Sequence, residues 1–153
     1  MIVVDTNLLV YLLVPSSLTV QAEAVFEQDS QWITPLLWRS EFRSALVGLI
    51  RQGNITVDIA REIAHRAESW MSGREYPAST DRVLRLAAAS VCSSYDCEFV
   101  AVAQDLAVPL VTLTVRSLEL SPKPLSRWMR SWRDFFLRRY SFQTRGRNFA
   151  TSN

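Results

Sequence analysis

Apolar residues change period several times along the chain, and the changes divide it into elements. Residues 2–4 (Ile-Val-Val) form a continuous apolar run ending at Asp5, which reads as a short buried strand. Asp5-Thr6-Asn7 offers caps for a helix over 8–13, stopped by Pro15. Residues 18–28 place Leu18, Ala22, Val25 and Phe26 on one helical face. Residues 31–34 read as a second strand closed by Pro35, and 36–52 as a strongly amphipathic helix ending at Gly53-Asn54. Thr56 can cap a helix to Met71, before Ser72-Gly73. Residues 76–78 suit a short extended piece. Ser79 or Thr80 caps a helix from 81 to about 92, Ser93 begins another through 106, and 109–113 is an apolar strand. Strands alternating with helices predict an α/β domain, a short parallel sheet with helices on both faces. Ligands of such sheets sit at the carboxyl ends of the strands.

Composition narrows the class. The chain has 153 residues, 48% hydrophobic and 21% charged, enough for one packed domain. No apolar run is long enough to span a bilayer, and the run from Leu8 to Val14 lacks a basic flank, so a cytoplasmic location is expected. Cys92 and Cys97 form no CxxC pair and read as core thiols. His65, the single histidine, reads as a surface imidazole. Any bound metal is therefore expected on oxygen ligands. The net charge of +2 is unevenly spread. Residues 1–114 carry eight arginines against thirteen acids, a net of −5, and residues 115–153 carry nine basic groups against two acids, a net of +7.

Three acids stand where the pattern makes them informative. Asp5 follows a buried strand at its carboxyl end, where it serves either as a helix cap or as a site residue. On a helical wheel of 37–52, Trp38, Phe42, Ala45, Leu46 and Leu49 share one face. Glu41 lies at the edge of that face beside the small residues Ala45 and Gly48. Turned inward it needs a partner or a metal; as a rim residue it swings into solvent. Asp96 begins a helix, where Ser93 can complete a capping box with it. Asp105 and Glu98 turn away from Asp96. Asp5, Glu41 and Asp96 thus come from three elements near one crevice. Clustered carboxylates need a cation to stay ionised, and hard oxygen ligands select Mg²⁺ or Mn²⁺, the ions of phosphodiester hydrolysis. Asp5-Thr6 also superficially resembles an aspartyl-nucleophile phosphohydrolase, but Asn7 stands where that chemistry needs a general acid.

Several ordered pieces resemble the PIN-domain ribonucleases of the VapC toxin type. They are Ile2-Val3-Val4-Asp5-Thr6-Asn7, Ser40-Glu41-Phe42 with Ala45-Leu46, the run from Ser94-Tyr95-Asp96 to Ala103, and Pro109-Leu110-Val111-Thr112. The resemblance covers residues 1 to about 113. It implies a three-layer α/β/α fold, metal-dependent RNA cleavage leaving a 5′-phosphate and a 3′-hydroxyl, and a cognate antitoxin partner. Such toxins are often homodimers. By the resemblance Asp5, Glu41 and Asp96 bind the metal, Thr6 and Asn7 orient Asp5 and the substrate phosphate, and Ser40 is a hydroxyl behind the ligands. The family commonly has a fourth acid where this chain has Thr114, which would then act only weakly, through water.

The likeness fades where the charge changes sign, so 1–120 reads as the nuclease domain and 121–153 as a basic, aromatic-rich helical tail. Residues 121–124 are turn-like. In 126–139, Trp128, Met129, Trp132, Phe135 and Phe136 share an arc, and Arg127, Arg130, Arg133 and Arg138 lie mostly opposite. The tail can dock on the body, grip RNA by phosphate contacts and stacking, or lie on an anionic membrane surface. A reading-frame change near residue 114 is a fourth reading. The leading expectation is an endoribonuclease toxin. Its rival is an impaired PIN-like module that binds antitoxin or RNA without cleaving. Replacing Thr114 by Asp should tighten Mg²⁺ or Mn²⁺ binding in a calorimetric titration; equal affinities would contradict the role given to this position.

Overall fold

A computed structural model describes residues 1–113; Thr114 and the tail assignments lie outside the described residues. The elements in order are β1 (Ile2–Val4), α1 (Thr6–Leu13), α2 (Thr19–Gln28), β2 (Trp32–Pro35), α3 (Trp38–Arg51), α4 (Val57–Met71), β3 (Glu75–Tyr76), α5 (Thr80–Ala88), α6 (Ser94–Asp105) and β4 (Leu110–Val111). All strands pair parallel in the order β3-β2-β1-β4. The register sets Val3 against Ile33 on one side and against Leu110 on the other. The expected α/β architecture is therefore present.

Strand alternation makes the two helical layers. Val3 and Ile33 point to one face and pack with Phe99, Val102 and Ala103 of α6. Behind them Val83 of α5 meets Cys97 and Ala101. Trp32 points the other way. Its ring sits 5.6 Å from Phe26 of α2 and 5.6 Å from Trp70 of α4, both tilted or edge-on. Helix α1 packs on α2, α3 and α4 in the same layer.

Local chemistry sets most boundaries. The Asn54 and Gly53 amides donate back to the Leu49 and Ile50 carbonyls, with Gly53 at φ +74, so α3 ends in a Schellman turn. Most expected ranges move by one to three residues, among them α1, which begins at Thr6, β2, which includes Pro35, and β4, which is only Leu110–Val111; two further shifts have a clear local cause. The extended piece is Glu75–Tyr76 rather than 76–78, because Pro77 has no amide to continue the ladder. Helix α5 stops at Ala88 rather than near residue 92. There Ala89 closes the helix, and the Ser90 hydroxyl accepts the Cys92 amide at 3.2 Å, turning the chain toward α6. No helix among the described residues is long and apolar enough to cross a membrane.

Helix α3 is fixed at both its face and its start. Trp38, Phe42 and Leu46 are buried at successive turns, each contributing about 1.5–3 kcal/mol. That sum outweighs the cost of half-burying Glu41 on the edge of the same stripe. At the start, the Glu75 carboxylate accepts from Trp38 Nε1 at 2.5 Å and from Arg39 Nε and Nη2 at 2.6 and 2.8 Å. Arg39 also reaches Glu68 of α4 at 3.2 Å. The two-residue edge strand is thus clamped to the turn that presents Glu41.

The Arg39 guanidinium, opposed by partial burial, holds Glu75 below the usual carboxylate range. The clamp therefore contributes at pH values above the ordinary glutamate titration and is lost as pH falls through the depressed value. Arg39 is partly exposed, so solvent screening trims the effect. Glu75→Gln should cost about 1–2 kcal/mol at neutral pH and flatten the acid limb of a stability–pH curve measured by urea unfolding. An unchanged acid limb would refute the clamp.

Candidate active site

The strand order creates the site. The chain runs from β1 to β2 to β3 in one direction, then returns to place β4 on the other side of β1. The crevice where order reverses lies at the carboxyl ends of β1 and β4. Asp5 leaves β1 with extended backbone (φ −76, ψ 165), and its amide donates to the Val111 carbonyl at 3.2 Å. Pairing Val4 with Val111 sets Thr112 beside Asp5. A cleft of about 680 Å³ opens there, lined by Asp5, Glu41, Asp96, Thr112 and neighbours including Asn7 and Cys92.

Asp5 caps a helix and also lines the cleft. Its Oδ1 caps α1 by accepting the Leu8 amide at 2.9 Å, and its Oδ2 accepts the Thr112 hydroxyl. Burial raises the Asp5 pKa most, and the Glu41 charge raises it further. The Thr112 hydroxyl, the Leu8 amide and the Asn7 side chain pull it down, but the net direction is up. Glu41 stands in the first turn of α3 and accepts the buried Thr6 hydroxyl at 2.5 Å. Thr6 therefore orients Glu41 rather than Asp5. Asp96 also stands in the first turn of its helix, but it is exposed and closes a capping box. Its Oδ2 takes the Ser93 hydroxyl at 2.7 Å and the Ser93 amide at 3.2 Å. Each acid thus lies at a helix N-terminus, where the backbone dipole favours a negative charge by about 0.3–1 kcal/mol.

The cleft wall carries three carboxylates, several hydroxyls and, among the described residues, no Arg, Lys or His. That donor set, rich in carboxylate and hydroxyl oxygens beside the single thiol of Cys92, fits a hard divalent cation. The acids line one cleft but are not drawn into one coordination shell. Among the described residues, no group of three or more His, Cys, Asp or Glu is close enough to hold a metal ion. The physical reason is local: Asp96 is tied back to Ser93, and Glu41 and Asp5 are tied to different hydroxyls.

Other expectations fare unevenly. Ser40 is exposed, accepts a long contact from Arg43 at 3.5 Å and is not part of the cleft wall. Asp105 turns away as expected, pairing with Arg82 at 2.6 Å. Glu98 also stays off the cleft wall, yet it feels the site: burial raises its pKa, and the Glu41 charge adds to the rise. Thr112 is the residue that the sequence signalled least. Only the pairing of β4 with β1, unknown beforehand, puts its hydroxyl on Asp5.

The opposing influences on Asp5 can be separated by carboxyl NMR titration. Glu41→Gln should lower the Asp5 pKa, and Thr112→Val should raise it further. Shifts of the opposite sign would overturn this description of the site.

Residues 2–113 match the PIN domain family, while no curated protein matches the chain. The match ends one residue before Thr114, close to where the sequence changes charge sign. It spans the whole described body, including all four strands and each of the three acids on the cleft. With this parallel sheet and this acidic cleft at its switch point, the chain belongs to the PIN-domain family, whose members are generally nucleases that use divalent metal ions.

Proposed function

We propose that the chain is an endoribonuclease dependent on Mg²⁺ or Mn²⁺, acting as the toxin of a toxin–antitoxin pair. The observation that carries this reading is the set of three carboxylates, one after the end of β1 and one each from α3 and α6, on one cleft whose lining among the described residues holds no basic side chain. Asp5, Glu41 and Asp96 would hold the ion. When bound, the ion offsets phosphate charge and acidifies a water for attack on the phosphodiester. The Thr112 and Thr6 hydroxyls each fix one oxygen of Asp5 and Glu41, and a carboxylate retains further lone pairs for a ligand. Asp96 must leave Ser93 to join them. That releases the two bonds from Ser93 while the Ser93 hydroxyl still caps the Asp96 amide, a cost of about 0.5–1.5 kcal/mol per bond. Asn7, exposed at the cleft, is placed to meet a substrate phosphate. The products are a 5′-phosphate and a 3′-hydroxyl. A cognate antitoxin and a second copy of the chain are the protein partners that go with this role.

The second reading is a PIN-like module that binds antitoxin or RNA without cleaving. It is favoured by the engagement of Asp96 with Ser93, together with Thr114 in the fourth acid position.

Cleavage of RNA in the presence of Mn²⁺ separates the two. The enzyme reading predicts cleavage by the parent chain and a loss of at least about a hundredfold in Asp5→Ala, the scale of removing electrostatic stabilisation at a reacting centre. Absent cleavage with antitoxin binding retained would establish the module instead.

A further inference from the structure

The start of α6 contains two thiols in a specific relation. With Ser93 as N-cap and Asp96 at the third helical position, the capping box is complete. Cys92 then occupies the position before the cap and Cys97 the fourth helical position. In a capped helix these two sites pack against each other as a hydrophobic staple. Here the staple is made of cysteines. Cys97 is buried in the cluster with Val83 and Ala101, and Cys92 packs against that cluster. Both are free, but their surroundings differ: Cys97 is buried, and Cys92 is half-buried and lines the acidic cleft. A small solute entering the cleft therefore meets Cys92 first.

We propose that Cys92 and Cys97 are an oxidation site for small peroxides, forming a disulfide that locks the α6 N-terminus around Asp96. In the first step the Cys92 thiolate attacks hydrogen peroxide. An S–O bond forms, the O–O bond breaks, and the departing hydroxide leaves as water after taking a proton; sulfur is oxidised and peroxide reduced. In the second step Cys97 attacks the Cys92 sulfenic acid. The S–S bond forms, the S–O bond breaks, and hydroxide carries off the Cys97 proton as a second water. Two thiols and one peroxide thus yield one disulfide and two waters. A terminal helical turn is the part of a helix that deforms most cheaply, so it absorbs the closure a disulfide requires. The loop from 92 to 97 contains Ser93 and Asp96. Closing it holds the Asp96 carboxylate on Ser93, at the cleft wall, so that it does not turn toward Asp5 and Glu41. Catalytic silencing by oxidation rests on the nuclease reading; disulfide formation does not.

The test treats the full chain with hydrogen peroxide and measures intact mass, free thiols and Mn²⁺-dependent RNA cleavage before and after dithiothreitol. The expected result is loss of two hydrogens from the monomer and of both titratable thiols, with a drop in cleavage of about tenfold, all reversed by dithiothreitol. In Cys97→Ser, peroxide should leave Cys92 as a sulfenic acid that dimedone traps. Two thiols surviving peroxide, or a bridge only between chains, would overturn the proposal. A reversible intramolecular disulfide with cleavage unchanged would overturn the silencing. If the reduced chain cleaves nothing, the nuclease reading fails, and mass and thiol counts still decide the cysteine pair.

Discussion

The burial of one carboxylate at the end of the central strand, with a second one beside it, is the constraint on which this site depends. Asp5 is held in partial burial, and the charge of Glu41 pushes its titration in the same unfavourable direction as burial. The Thr112 hydroxyl, the Leu8 amide and the Asn7 side chain soften the penalty but leave a net rise. A fold does not keep such a group for stability, because an apolar or amide side chain would cost less there. The arrangement makes physical sense as a receptor for positive charge.

The rest of the body delivers those acids. A parallel sheet with reversed strand order leaves an open crevice beside β1, and helices can begin there without blocking it. Trp38, Phe42 and Leu46 seat α3, while Glu75 ties its first turn to the edge strand. Glu41 is therefore positioned by apolar burial on one side and by a charged clamp on the other. Asp96 has no comparable support. It is exposed and borrowed by its own helix cap, which makes it the adjustable member of the set.

Most of this architecture could be read from the sequence, because it rests on local signals. Asp5 after an apolar triplet, the stripe of α3 with Glu41 at its edge, and Ser93 three residues before Asp96 each carry their meaning within a few positions. The Gly53-Asn54 stop and the Thr56 cap are legible for the same reason. What the sequence hid was relational. The Thr112 hydroxyl gains its role from strand order, and Thr6 serves Glu41 because α1 and α3 pack together. Glu98 looked remote on a wheel of its own helix, yet it feels a charge on another helix. Ser40, adjacent to Glu41 in sequence, points elsewhere because neighbouring helical positions do not share a face.

Asp96 links the chemistry of the cleft to the state of one helical turn. In the capping box it stabilises α6; in the proposed nuclease, release from Ser93 would let it join Asp5 and Glu41, and the proposed Cys92–Cys97 disulfide would oppose that release. The most direct measurement of the central claim is anomalous diffraction at the manganese edge from crystals grown with Mn²⁺. The account predicts a peak in the cleft bound by Asp5, Glu41 and Asp96, with Asp96 turned away from Ser93. A cleft without a peak at saturating Mn²⁺, or an ion held elsewhere while Asp96 stays on Ser93, would contradict it.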